Sequence, residues 1–195
     1  MTPERKKDRR VAYTKLALRE ALVQLMQDQH ISGITVKSIC ELADINRSTF
    51  YLHYRDQYDL LHQIEQEVLE TLGERLLSRQ DNADEAFSDE PVTLEVMTAI
   101  LEYAQENAAL ARVLLSENCD FAFQQDILEL ANLVVALPDT SMSQRTKDSI
   151  VYYGITGCIS MAEKWLKEGT IEQPQEIARI MLQMLYFGTS SFNAK

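Results

Sequence analysis

The chain has 195 residues, 46% of them apolar, enough to bury a core in one domain or two small ones. It holds no apolar run long enough to cross a bilayer, and residues 1–30 are charged and periodic where a secretory leader would be apolar, so the sequence predicts a cytoplasmic protein with no membrane partner. The net charge of −11 is unevenly spread: residues 1–55 carry ten Lys/Arg against six Asp/Glu, a balance of +4, which leaves −15 on the rest and describes a basic head on an acidic body.

With 6 glycines, 4 prolines and apolar residues recurring at i, i+3 and i+4, the chain reads as all-α, in about nine helices. The first is expected from about Asp8 to Gln29, with Val11, Leu18, Leu22, Leu25 and Met26 on one face, ending before the Ser32-Gly33 turn. A short second helix runs from Val36 to about Ala43. Thr35 is its N-cap, and Val36, Ile39, Cys40 and Ala43 form the inward stripe. Asp44 and Ile45 make a turn, and the third helix starts after Asn46, another good N-cap. It keeps Phe50 and Tyr54 inside while Arg47, Ser48, Tyr51 and Arg55 point elsewhere. A fourth helix, Asp56 to about Ser78, carries the stripe Leu61, Ile64, Val68 and Leu72, and the acidic stretch Arg79 to Glu90 reads as a flexible connection.

Helices of about Val92–Glu106, Ala108–Ser116 and Phe121–Leu137 follow, the last terminated by Pro138. The eighth, about Gln144 to Glu168, has Lys164 and Lys167 in its last turns and Gly169 beyond, which mark its C-terminus twice. The ninth starts with Pro174 at its first position and closes at Gly188. Residues 1–55 thus read as a three-helix head and residues 56–195 as a helical bundle.

The tight turn between the second and third helices makes a helix-turn-helix, whose chemistry follows from its geometry. A helix fits the major groove of B-DNA, where polar side chains of its first turn reach base edges. Arg47, Ser48 and Thr49 occupy that turn, with Asn46 before it, and Tyr51, His53 and Arg55 offer further contacts. Backbone amides at the start of the second helix, with Thr35 and Lys37, suit a phosphate. Tyr54, by contrast, lies on the inward face with Phe50.

Ile34-Thr35-Val36, then Ile39, then the run Ala43-Asp44-Ile45-Asn46-Arg47-Ser48-Thr49-Phe50-Tyr51-Leu52-His53-Tyr54 closely resembles the signature of the TetR/AcrR transcriptional regulators, over about residues 8–62. The resemblance implies an all-helical, two-fold dimeric regulator, such as a repressor, that binds double-stranded DNA. Asp44 stands where that family usually has glycine, at a position that needs a left-handed backbone, which Asp tolerates better than most residues. Gln57 stands where a lysine is common, removing one phosphate contact that Arg55 can replace, and Leu52 replaces an often polar residue. Further on, Tyr103-Ala-Gln-Glu-Asn107, Leu114-Leu115, Gly154-Ile-Thr-Gly157 and Trp165-Leu166 are similar to the regulatory domain of TetR-like regulators of dihydroxyacetone kinase, some of which act through a partner protein.

The ninth helix is apolar nearly all round, so one of its faces needs a second partner, and a neighbouring subunit is the simplest one, against intrachain packing as the alternative. Gly154 and Gly157 let a helix approach the eighth closely, and Met161 and Trp165 continue that face. With Ile177, Ile180, Met184 and Phe187 they form the expected homodimer interface. Such a dimer matches two half-sites about 34–36 Å apart, hence a palindromic operator. A small-molecule effector would sit in the bundle, where Tyr103, Phe121, Phe123, Tyr152 and Tyr153 are the aromatic candidates for a pocket, although aromatics at helical spacing equally serve as core.

Enzyme chemistry finds little footing. Asp59-x-x-His62 puts a carboxylate and an imidazole one turn apart, but a di-metal bundle needs two such motifs and two more carboxylates, and His30 and His53 do not supply them. No phosphate-binding loop, nucleophile elbow or zinc spacing occurs, and no cofactor is implied. Cys40, Cys119 and Cys158 are widely spaced among apolar residues, which suits core packing better than a disulfide or redox role. The other reading is a TetR-fold interaction protein acting through a protein effector with weak or no operator binding, which Leu52 and Gln57 favour slightly.

Overall fold

The computed structural model describes residues 3–78, 92–116, 118–119, 121–134 and 143–188, and of residues 3–8, 77, 78, 121 and 132–134 the backbone alone. These residues form helices α1 (Pro3–Met26), α2 (Val36–Ala43), α3 (Arg47–Phe50), α4 (Gln57–Ser78), α5 (Leu94–Glu106), α6 (Ala108–Leu115), α7 (Phe121–Val134), α8 (Gln144–Lys167) and α9 (Pro174–Phe187), with a 3-10 turn at Ile31–Gly33 and no strand among the described residues. The expected connection from Arg79 to Glu90 and the stop at Pro138 lie outside the described residues.

The helix ends follow local chemistry. α1 stops at Met26, three residues before the expected Gln29. There Gln27 and Asp28 donate to carbonyls three residues back, a tightening that ends the α-ladder. α5 starts at Leu94, two residues after the expected Val92, because the Thr93 hydroxyl caps it by accepting from the Val96 amide. α9 opens on Pro174, where the Glu176 carboxylate accepts from the Gln173 amide at 3.1 Å, and ends at Gly188, whose φ of 67° an L-residue rarely adopts.

Two apolar clusters hold these helices together. One joins Leu18, Leu22 and Met26 of α1 to Ile39, Phe50 and the α4 residues Leu60, Leu61 and Ile64, and continues into Leu110 and Leu114 of α6 and Phe123 of α7. The head therefore has no core separate from the bundle, and its rigidity depends on α4, α6 and α7. The other cluster packs Leu94, Met97 and Leu101 of α5 against Ile177, Met181 and Leu182 of α9 and Trp165 of α8. Each such buried side chain contributes about 1.5–3 kcal/mol by leaving water.

Polar ties cross the seams. Arg19 of α1 pairs with Glu67 of α4 at 2.7 Å. Arg112 of α6 donates to the Leu166 carbonyl at 2.9 Å. The Tyr186 hydroxyl of α9 meets the Val92 backbone at 3.0 Å.

Candidate nucleic-acid interface

α2 and α3 are held by caps encoded within a few residues. The Thr35 hydroxyl accepts from the Ser38 amide at 3.1 Å while the Ser38 hydroxyl accepts from the Thr35 amide, so both ends of the first turn are satisfied. α2 ends at Asp44 with φ 53° and ψ 41°, the left-handed conformation that the turn requires. Two residues later Asn46 caps α3, its side-chain oxygen accepting from the Ser48 amide and hydroxyl, each at 2.9 Å.

Phe50 is buried, with Tyr54 buried against it at 5.5 Å between ring centroids, and together they pin α3 to the head. Burial, then the nearby Glu67 carboxylate, push the Tyr54 phenol above its ordinary range, so it stays protonated and structural. With that face anchored, Asn46, Arg47 and Ser48 are exposed, Thr49 and His53 are half-buried, Tyr51 is 58% exposed and Leu52 78% exposed. The Tyr51 ring stands edge-on to Phe50 at 5.6 Å, which fixes its direction without covering it.

The flanking cations differ in freedom. Lys37 is exposed and loosely paired with Glu41 at 3.7 Å, a contact worth little in water and open to exchange for a phosphate. Arg55 is exposed, but Asp59 accepts from its backbone amide at 2.8 Å and from its guanidinium at 3.4 Å. The backbone hydrogen bond, with the Arg55 charge beside it, holds the Asp59 carboxyl below the usual carboxylate range. Asp59 is thus a local cap for the loop before α4. Among the described residues, no three His, Cys, Asp or Glu side chains converge on a metal position.

In the bundle several expected residues fall elsewhere. Trp165 is 2% exposed within its own chain, its indole N–H donating to the Glu172 carbonyl at 3.0 Å, and Ile177 is 8% exposed against α5. Both are covered by their own chain. The α9 surface that seemed to need an outside partner is largely covered by α5 and α8. Gly154 faces inward too, since a Cβ there would run into Leu185 Cδ1. Met161 and Ile180 are half-buried on the α5–α8–α9 core. Gly157 faces open space, and Met184 and Phe187 are exposed.

α4 to α9 line a partly open apolar cavity of about 250 Å³, to whose wall Tyr103 and Phe123 contribute. Tyr152 is 57% exposed and borders a shallow polar depression with Arg145 and Asp148 instead; Tyr153 is exposed, and the Phe121 side chain is outside the described residues. The aromatic residues pointed to the bundle interior, but the stripes Val68-Leu72-Leu76 of α4 and Gly154-Cys158 of α8 supply more of the wall. Cys40 and Cys119 are buried and Cys158 is half-buried, none of them in a disulfide, and burial raises the Cys158 thiol to about 11.

Comparison with known proteins agrees with this architecture. A TetR-type family model, described as a transcriptional regulator C-terminal region, matches residues 93–186. The HTH-type transcriptional regulator YxbF of Bacillus subtilis (strain 168) is 21% identical over 168 residues, 86% of this chain but 43% of that protein, so the chain spans less than half the length of this relative. The TetR transcriptional regulator from Streptococcus agalactiae 2603V superposes with a TM-score of 0.63 at 23% identity, covering 93% of this chain and 98% of that one. The dihydroxyacetone kinase operon activator DhaS gives 0.54 at 19% identity, with 88% and 93% covered. NalD, the secondary repressor of the MexAB-OprM multidrug efflux pump in Pseudomonas aeruginosa, gives 0.60 at 21%, with 90% and 94% covered. The family match thus falls on the C-terminal helices, and the all-helical fold is the one that these solved regulators share.

Proposed function

We propose that this chain is a cytoplasmic regulator that binds a palindromic operator in double-stranded DNA as a homodimer, represses transcription there, and is released by an effector. The observation that carries this reading is the first turn of α3: Arg47 and Ser48 stand exposed, with exposed Tyr51 at the helix C-cap, while Phe50 at its end and Tyr54 just beyond it are buried and lock the other side. A short helix anchored on one side and polar on the other suits insertion into a major groove. Arg47, Ser48 and Thr49 read base edges; Asn46, Tyr51, His53 and Arg55 flank them; Thr35, Lys37 and the α2 N-terminus hold backbone phosphate. Residues 1–55 act as the DNA-binding unit and residues 56–195 as the regulatory and dimerisation unit.

The dimer contact that suits the exposed surface runs over Tyr153 and Gly157 of α8 and Met184 and Phe187 of α9, where large apolar side chains are exposed beside a glycine facing open space. The cavity in the bundle is the effector pocket. A titration of duplex DNA across salt concentrations tests the reading. Strong sequence preference, dyad-symmetric protection and a steep salt slope are expected. A shallow slope with non-specific micromolar binding instead favours a TetR-fold co-regulator that works through a partner protein, with exposed Leu52 as part of its contact.

A further inference from the structure

The walls of the bundle cavity restrict what it can hold. Among the described residues that line it there is no Asp, Glu, Lys, Arg or His, and three polar side chains only: Tyr103, Asn107 and Tyr186. The Tyr186 hydroxyl is engaged with the Val92 backbone, and the Asn107 amide nitrogen donates to the Tyr103 carbonyl at 2.9 Å. The Tyr103 hydroxyl and the Asn107 side-chain oxygen remain, with no hydrogen bond to another described residue. Arg75 stands against Tyr103, but its guanidinium lies over the ring face at 5.0 Å and donates to the Ala99 carbonyl at 3.0 Å, so its charge is not offered to the cavity. Cys158 stays neutral, since burial lifts its thiol to about 11.

An ionised group placed here would lose its hydration and gain no counter-charge, whereas a neutral chain loses nothing but water contact. A volume of about 250 Å³ exceeds the ~150 Å³ that accommodates a benzene ring and falls just short of the range of about 300–1,000 Å³ for drug-sized ligands. From the uncharged lining and this volume we infer that the cavity binds an uncharged lipophile of about ten carbons bearing at most one neutral polar group. It rejects the carboxylate and ammonium counterparts of that molecule. The inference rests on the effector-pocket reading and adds the ligand's chemical class to it. Leu110, Leu114 and Phe123 belong both to the cavity wall and to the cluster that packs under the head, so the ligand touches side chains that also support α1 and α4.

The test is a set of three ligands of one chain length, 1-decanol, decanoate and decylammonium, titrated calorimetrically into the DNA-free full chain at neutral pH. Decanol is expected to bind at least about tenfold more tightly than either charged analogue. Equal or tighter binding of decanoate or decylammonium, or no heat from any of the three, overturns the inference. Ala104→Phe and Ala111→Leu, which add bulk to the lining from α5 and α6, locate the site. Decanol affinity falls in variants that keep wild-type helical circular dichroism, and an unchanged affinity in both rejects the cavity as the site. Operator affinity is measured separately. Decanol binding without operator release sinks the effector reading alone, and operator binding by a chain that ignores decanol sinks this inference alone.

Discussion

The side-chain amide of Asn118 donates to the backbone carbonyl of Met26 at 3.1 Å, and the Asn118 carbonyl accepts from the Ile31 amide at 3.2 Å. One residue between α6 and α7 thereby grips both sides of the bend that leads from α1 to α2, and so joins the bundle to the head. Asn118→Ala removes the first of these bonds and leaves the Met26 carbonyl without that partner, at a cost of about 1 kcal/mol. Urea unfolding is expected to show a lowered midpoint with an unchanged slope. A midpoint equal to wild type would mean the contact contributes nothing.

Arg47 and Tyr51 are exposed, so changing them leaves the core intact. Arg47→Ala and Tyr51→Phe are each expected to weaken operator binding by about 1–3 kcal/mol at fixed salt while the thermal midpoint stays put. Unchanged affinity in either variant would remove that residue from the interface.

Asp44 holds a left-handed backbone at φ 53° between α2 and α3. Asp44→Val places a β-branched side chain in that region and is expected to cost about 1–2 kcal/mol or more, with operator binding lost in parallel because the angle between the two helices depends on this residue. Asp44→Gly keeps the conformation and is expected to keep both stability and binding. Differential scanning calorimetry of the pair separates the backbone effect from loss of the carboxylate.

Gly157 has nothing within 4 Å of an added Cβ. Gly157→Ala is expected to stabilise the isolated fold by up to about 1 kcal/mol through helix propensity alone. If a second subunit packs its helix there, Gly157→Leu raises the dimer dissociation constant severalfold without unfolding the chain. Sedimentation equilibrium of the two variants reads this directly; a dimer as tight as wild type for Gly157→Leu would move the interface elsewhere.

Asp59 has its carboxyl held below the ordinary range of an aspartate, first by the Arg55 backbone amide. A depressed folded-state value means the contribution is complete above the unfolded value and is lost as pH falls below about 4. Asp59→Asn is therefore expected to lose stability near neutrality and to flatten the acid limb of the stability curve. Parallel acid limbs for the two proteins would contradict the role of this cap.

Much of the head was legible along the chain because its devices are short-range. Thr35, Asp44 and Asn46 each act on residues within about one helical turn, and Phe50, with Tyr54 just past the helix, fixes which side of α3 is buried. The exposed face then follows as the remainder.

The bundle was a different matter. Periodicity marks Trp165 and Ile177 as apolar and marks α9 as apolar on more than one face, but it does not say whether α5 of the same chain or a second subunit covers them. That choice depends on how distant segments meet, as do the pairing of Asn118 with Met26 across 92 positions and a cavity walled by six helices. Short-range hydrogen-bonding and helical spacing are properties of neighbouring residues; the identity of a packing partner is a property of the assembled core.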